Sequence, residues 1–157
     1  MADTMRWRYG ETNPVLVPVD DETVIEIGDL VYLETDDARP ASAQGEPEGE
    51  GDGQELFHDH FLGVAMQRSR SGDSQPIRVA TTGVFEFTCA TATFEVGDLI
   101  GVAEAVGGAV LEDQQVAGVA TANLAIGRCA HRVAPASTRV LVDIVSTVMR
   151  GGPQSPE

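Results

Sequence analysis

Residues 25–31 read Ile-Glu-Ile-Gly-Asp-Leu-Val, and residues 94–100 read Phe-Glu-Val-Gly-Asp-Leu-Ile. Both heptads are apolar-Glu-apolar-Gly-Asp-Leu-apolar, 69 positions apart. Apolar and polar residues alternate before the glycine, which is the period of a half-buried strand. Gly28-Asp29 and Gly97-Asp98 then break the strand. The glycine supplies a positive φ or a bulge, and the aspartate carboxylate stabilises the turn by accepting a backbone hydrogen bond. Strand pattern resumes as Leu-Val-Tyr-Leu at 30–33 and Leu-Ile-Gly-Val-Ala-Glu-Ala at 99–105. Two such units in equivalent contexts predict an internal duplication.

The surroundings extend the repeat. Phe-Leu-Gly-Val-Ala-Met at 61–66 parallels Val-Ala-Gly-Val-Ala-Thr at 116–121, at an offset of 55. The β-branched runs 76–87 and 138–148 follow them. Each half therefore reads strand, Gly-Asp turn, strand, Gly-Val-Ala strand, turn, long strand. The unequal offsets place an insertion in the first half, at residues 36–59. It is acidic and rich in Gly and Pro, and it is expected to be a mobile surface loop that builds no core. Short helical turns are expected only within 110–115 and 120–127. The predicted class is all-β, a compact β-barrel or β-sandwich with internal pseudo-duplication and little helix. Residues 1–150 are expected to form a single domain, with an N-terminal arm over 1–14 and a disordered tail over 151–157.

Composition supports short elements joined by turns. The 157 residues suit one compact domain. Seventeen glycines and eight prolines disfavour long helices. Aromatics are only 5%, so Val, Ile, Leu and Ala must build the core. A formal net charge of -15 repels nucleic acid and anionic membranes, and neither is expected as a partner. No apolar run reaches the ~18 residues of a membrane span, and the first ten residues lack the apolar core of a secretion signal. All ten basic residues are Arg. That reflects either composition bias or bidentate pairing at subunit contacts.

Chemistry-bearing residues are few. His58 and His60 lie in an acidic stretch at i,i+2, where a strand would turn both imidazoles to one side. They are weak metal candidates on a Gly-rich scaffold, and no metal site is expected. Cys89 and Cys129 are compatible with two buried thiols or with a disulfide. His131 beside Cys129 lacks the context of a catalytic dyad. No phosphate-binding loop, dinucleotide fingerprint or serine elbow is present. Glu26 and Glu95 read as solvent-side strand residues, and Ser-Gly-Asp-Ser within 69–76 reads as a hairpin turn beside Arg68, Arg70 and Arg78. No catalytic residues and no cofactor are expected.

In its ordered motifs the chain resembles the capsid cement, or decoration, proteins of tailed phages. The motifs are the Gly-Asp-Leu turns at 25–31 and 94–100, Leu-Gly-Val-Ala at 62–65, and Arg-Val-Ala-Thr-Thr-Gly-Val-Phe-Glu-Phe at 78–87. Ile-Gly-Arg-Cys-Ala at 126–130 and Val-Leu-Val-Asp-Ile at 140–144 complete them. The resemblance implies a non-enzymatic virion protein on the outer surface of an icosahedral capsid. Its implied partners are the major capsid protein and further copies of itself, with a trimer favoured. It supplies no contact residues. From composition and position alone, Arg6, Trp7, Arg8 and Tyr9 are the first candidates for shell or subunit contact. Val15, Leu16 and Val17 are candidates for an edge strand across subunits. A competing reading is a β-rich binding module for a small molecule, glycan or divalent cation, and a small hydrolase ranks third.

Overall fold

The computed structural model describes residues 3–44, 52–105 and 110–154. Among the described residues the fold is all-β, 49% strand and 13% helix. The strands are β1 (Trp7–Tyr9), β2 (Val15–Val17), β3 (Leu30–Glu34), β4 (Asp37–Pro40), β5 (Phe61–Ala65), β6 (Ile77–Ala80), β7 (Thr82–Phe94), β8 (Leu99–Glu104), β9 (Leu111–Gly118), β10 (Gly127–Cys129) and β11 (Val133–Val145). Two short helices, α1 (Asp52–His60) and α2 (Thr147–Arg150), and two 3-10 turns, Ala41–Ala43 and Ala122–Leu124, complete it.

The two sheets are two copies of one arrangement. The first runs β2-β6-β5-β3-β4, and the second runs β7-β11-β10-β8-β9 with β1 added outside β7. Parallel pairing of β7 with β9, at Thr88–Gln115 and Cys89–Val116, closes the second sheet into a five-stranded barrel. At the corresponding place in the first sheet, the Ala38 N–H donates to Pro18 O at 3.0 Å.

Register gives the residue equivalences. Val31 faces Gly63 as Ile100 faces Gly127, and Ala65 faces Val79 as Cys129 faces Val142. Both glycines are required by close approach. A Cβ on Gly63 would overlap the Ala80 carbonyl, and one on Gly127 the Asp143 carbonyl. The counterpart of Leu-Gly-Val-Ala at 62–65 is therefore Ile-Gly-Arg-Cys at 126–129, and not the segment around Gly118 expected from sequence. Gly118 sits on β9 opposite Ile100, where the first unit has Pro40 opposite Val31. A tripeptide match was outweighed by hydrogen-bond register, which reverses side-chain facing with each one-residue slip.

The expected insertion shrinks accordingly. Val31 and Gly63 are 32 positions apart, against 27 for Ile100 and Gly127. Within 36–59, residues 37–40 form β4, 41–43 a 3-10 turn, and 52–60 helix α1. Ala38, Ala41 and Phe57 are fully buried. Those few apolar residues suffice to dock a segment whose mean composition reads as loop. The expected loop residues 45–51 lie outside the described residues. Residues 110–115, expected to turn helically, instead lead into β9, whereas 120–127 does contain a 3-10 turn. The expected tail is also partly ordered: α2 ends at Gly151 with φ 86°, and Gly152 and Pro153 are buried.

Two cores result. Val17, Ile25, Val31, Leu62 and Val79 fill the first unit, and their equivalents Phe87, Phe94, Ile100, Ile126 and Val142 fill the second. Three of the five phenylalanines (85, 87 and 94) thus lie inside the second barrel. The outer face of the first sheet, with Leu30, Tyr32 and Val64, joins that larger cluster. Phe57 of α1 is wedged there, its ring centroid 5.9 Å from Tyr32 and 5.6 Å from Phe61.

Both Gly-Asp turns have one geometry. Asp29 N–H donates to Glu26 O and Asp98 N–H to Glu95 O, each at 3.1 Å. Asp29 Oδ2 accepts from Glu26 N–H and Asp98 Oδ2 from Glu95 N–H, each at 2.9 Å. Gly28 and Gly97 have φ of 97° and 94°, the positive value a type II turn needs at its third residue. The surroundings differ. Asp29 is 2% exposed, and its Oδ1 accepts from Gln114 Nε2 of β9 at 2.8 Å. Gln114 Oε1 in turn accepts from Arg6 Nε and Nη2, at 3.1 and 2.8 Å. This Asp29–Gln114–Arg6 chain ties the first turn, the second barrel and the N-terminal arm together.

Two predictions follow from these turns. Alanine at a positive φ costs about 1 kcal/mol or somewhat more. Gly28→Ala would in addition press on the Thr4 carbonyl and the Arg6 side chain, whereas nothing lies within 4 Å of a Cβ on Gly97. Gly28→Ala is expected to destabilise by at least ~1 kcal/mol more than Gly97→Ala in urea unfolding, and to speed tryptic cleavage in the arm. The second concerns pH. Burial raises the Asp29 carboxyl to about 6, against the pull of its hydrogen bonds. An unfolded Asp titrates near ~3.9. Between those values the folded state holds more protons, so the carboxylate's unfavourable contribution is complete above about 6 and is relieved as pH falls toward ~4. The stability of the parent relative to Asp29→Asn should therefore rise as pH is lowered from about 7.5 to about 4.5. A pH-independent difference in unfolding midpoints would contradict this.

Candidate contact surface

The N-terminal arm lies along the outer edge of β7, with Trp7 opposite Phe85 and Tyr9 opposite Val84. Glu86 N–H donates to Arg6 O at 2.9 Å and anchors it. The register shifts by one residue between Trp7 and Tyr9, an irregularity of the kind a β-bulge makes. Trp7 is 42% and Tyr9 51% exposed, and the Trp7 indole N–H donates to Gly10 O at 2.9 Å. Arg8 and Arg139 both pair with Glu86, at 3.3 and 3.4 Å. Two guanidinium groups on one carboxylate leave this face locally positive on a chain of net charge -15.

Not all the expected contact residues are free to make contacts. Arg6 is half-buried: besides Gln114 it donates to Glu86 O at 3.1 Å, and it lies over the Phe87 ring, 5.5 Å from the centroid. It holds the two units together internally. Val17 is buried in the first core, and Val15 is half-buried against it. On β2 only Leu16, 63% exposed, faces outward. The apolar run is the edge strand of the first sheet, and its alternate residues Val15 and Val17 face that unit's core.

The arm also covers the first Gly-Asp turn. Thr4 N–H donates to Ile27 O at 2.8 Å, and Ile27 N–H donates to Asp3 Oδ1 at 2.9 Å. Arg68 pairs with Asp3 Oδ2 at 2.9 Å. The Asp3 and Glu26 carboxyls share a hydrogen bond that lowers the first and raises the second. At the second turn the equivalent Val96 is 69% exposed, and Arg132, the equivalent of Arg68, pairs with Glu95 at 3.1 Å. Arg128 donates to Gly97 O at 2.7 Å and to Gln154 O. An open groove of about 680 Å³, lined in part by Phe94, Gly97, Asp98 and Arg128, runs beside it.

His58 and His60 do not converge. They lie on α1, where i,i+2 positions are ~200° apart around the axis, and not on a strand. His58 Nδ1 meets Ala125 O at 2.6 Å, and His60 Nδ1 meets Leu56 O at 3.1 Å. Among the described residues no three His, Cys, Asp or Glu are grouped to hold a metal. Cys89 and Cys129 are free thiols in the second core, raised by burial. His131 Nδ1 faces Arg132 O, and Cys129 donates to the His131 carbonyl, so the two side chains are not paired as thiol and base.

Sequence reading missed Asp3, Thr4, Gln114 and Arg132. Only Arg132 had a findable signal, its place after the glycine strand in the second unit matching that of Arg68 in the first. A search of curated proteins finds no match to the chain. A sequence model described as phage cement protein matches residues 51–144. The match takes in α1, β5, β6 and the second barrel almost to the end of β11, well over half the chain. The chain belongs to the phage cement protein family.

Proposed function

We propose that this chain binds the outer surface of an icosahedral phage capsid and stabilises contacts between major capsid subunits, with no catalytic role of its own. Family membership supports a structural role in the virion and association with the capsid. The observation that carries the finer reading is the exposure of Trp7 and Tyr9 on a strand that is itself hydrogen-bonded to a closed barrel. Large aromatic rings held rigidly lose little entropy on binding and are the residue types that anchor interfaces. Arg8 and Arg139 add charge that favours an acidic counterpart. Assembly as a closed trimer would multiply a modest single contact on a repetitive lattice.

The test is co-sedimentation with preformed shells. Trp7→Ala with Tyr9→Ala should weaken shell binding at least about tenfold while leaving the thermal midpoint nearly unchanged, since both rings are exposed. Undiminished binding by the double variant would remove β1 as the contact strand. A parent chain that ignores shells and stays monomeric by light scattering would overturn the function itself.

A further inference from the structure

The internal duplication leaves one docking device filled and its twin open. At the first turn the device has three parts: the Ile27 N–H, the Ile27 carbonyl and the Arg68 guanidinium. Asp3 and Thr4 satisfy all three, through 2.9, 2.8 and 2.9 Å contacts. At the second turn register places Val96 where Ile27 stands and Arg132 where Arg68 stands. Gly97 repeats the φ of Gly28, so the peptide groups of the two turns point alike. Among the described residues nothing hydrogen-bonds the Val96 amide or carbonyl. Its side chain is 69% exposed, and no atom comes within 4 Å of a Cβ on Gly97, where the first turn has Thr4 and Arg6.

We propose that the second Gly-Asp turn is a docking site for an extended segment of a neighbouring subunit, one carrying an Asp or Glu followed by a residue with a free N–H. The carboxylate would accept from Val96 N–H and pair with Arg132, and the next N–H would donate to Val96 O. Arg132 is held meanwhile by Glu95, in an ion pair whose members are 65% and 67% exposed. Such a pair is weak in water and yields readily to a better-placed carboxylate. At the filled turn the corresponding Glu26 shares a hydrogen bond with the bound Asp3. Glu95 thus competes with an incoming acid for Arg132. The open groove beside Gly97 and Asp98 gives the rest of the segment room.

The experiment titrates the full-length, isotope-labelled chain with an N-acetylated pentapeptide of the arm sequence, Ala-Asp-Thr-Met-Arg, and follows amide shifts. Two backbone hydrogen bonds and one exposed ion pair place the expected Kd on the order of millimolar. Shifts should centre on Val96, Gly97 and Arg132. Arg132→Ala, or Asn for Asp in the peptide, should weaken binding a few-fold. Glu95→Gln should strengthen it a few-fold by freeing Arg132, a gain that an unfolded variant cannot mimic. Absence of shifts at Val96, shifts confined to Ile27 and Gly28, or indifference to both substitutions would each overturn the proposal. So would binding that appears only after residues 155–157 are removed, because the chain's own tail would then be the occupant. No shells are used, so failure here leaves the cementing role standing, and failure of shell binding leaves this site standing.

Discussion

A carboxylate that accepts the N–H three residues before it is the contact on which this architecture depends. It occurs at Glu26–Asp29 and Glu95–Asp98, and again at Arg70–Asp73, where Asp73 Oδ2 accepts from Arg70 N–H at 3.0 Å. In each turn a glycine with positive φ precedes the aspartate. The aspartate closes the turn from outside its own backbone, so the chain leaves at a fixed angle. At the two repeated turns that exit delivers β3 and β8 to the glycine strands β5 and β10. There Gly63 and Gly127 admit a neighbouring carbonyl at a distance no Cβ permits. Turn and close approach are coupled. A different exit angle would shift the register, and a shifted register would bring a side chain where only a hydrogen fits.

The same turn serves two opposed ends because its surroundings differ. Around Asp29 the arm, Gln114 and the second barrel exclude water, so the carboxylate is desolvated and titrates high. Around Asp98 the turn stands in solvent, flanked by exposed Val96 and by the Glu95–Arg132 pair. The first copy has become a seam between the two units. The second has remained a surface. Duplication followed by unequal burial produces both from one local sequence.

How much of this was legible in the sequence depended on the range of the forces involved. The heptads at 25–31 and 94–100 gave away strand, turn and repeat because period and turn chemistry are local. Pairing Gly63 with Gly118 failed because a glycine's role is set by what approaches it, and Ala80 and Asp143 are distant in sequence. Helix α1 was hidden by its acidic surroundings, since one buried Phe57 outweighs an average over twenty residues. Arg6 looked like a free cation because its partners, Gln114 and Phe87, lie 108 and 81 positions away. Val15 and Val17 lie on an edge strand but face its core, an orientation hidden because a three-residue strand is too short for alternation to be read against its neighbours. Of the candidate surface, Trp7, Arg8, Tyr9 and Leu16 keep the exposure a contact needs.

Closure limits how such a molecule can bind. Pairing of β7 with β9 removes the long free edge on which sheet addition relies. In the first unit the Ala38–Pro18 hydrogen bond bridges the corresponding gap. Among the described residues, exposed side chains on the short edge strand β1 and the peptide groups of the second turn stay open to a partner. Neither offers much alone: a few rings, a few charges, two backbone groups. Contacts this small gain strength by repetition, and they discriminate only when their geometry cannot relax. A closed barrel seamed to its own duplicate by the Asp29–Gln114–Arg6 chain supplies that rigidity.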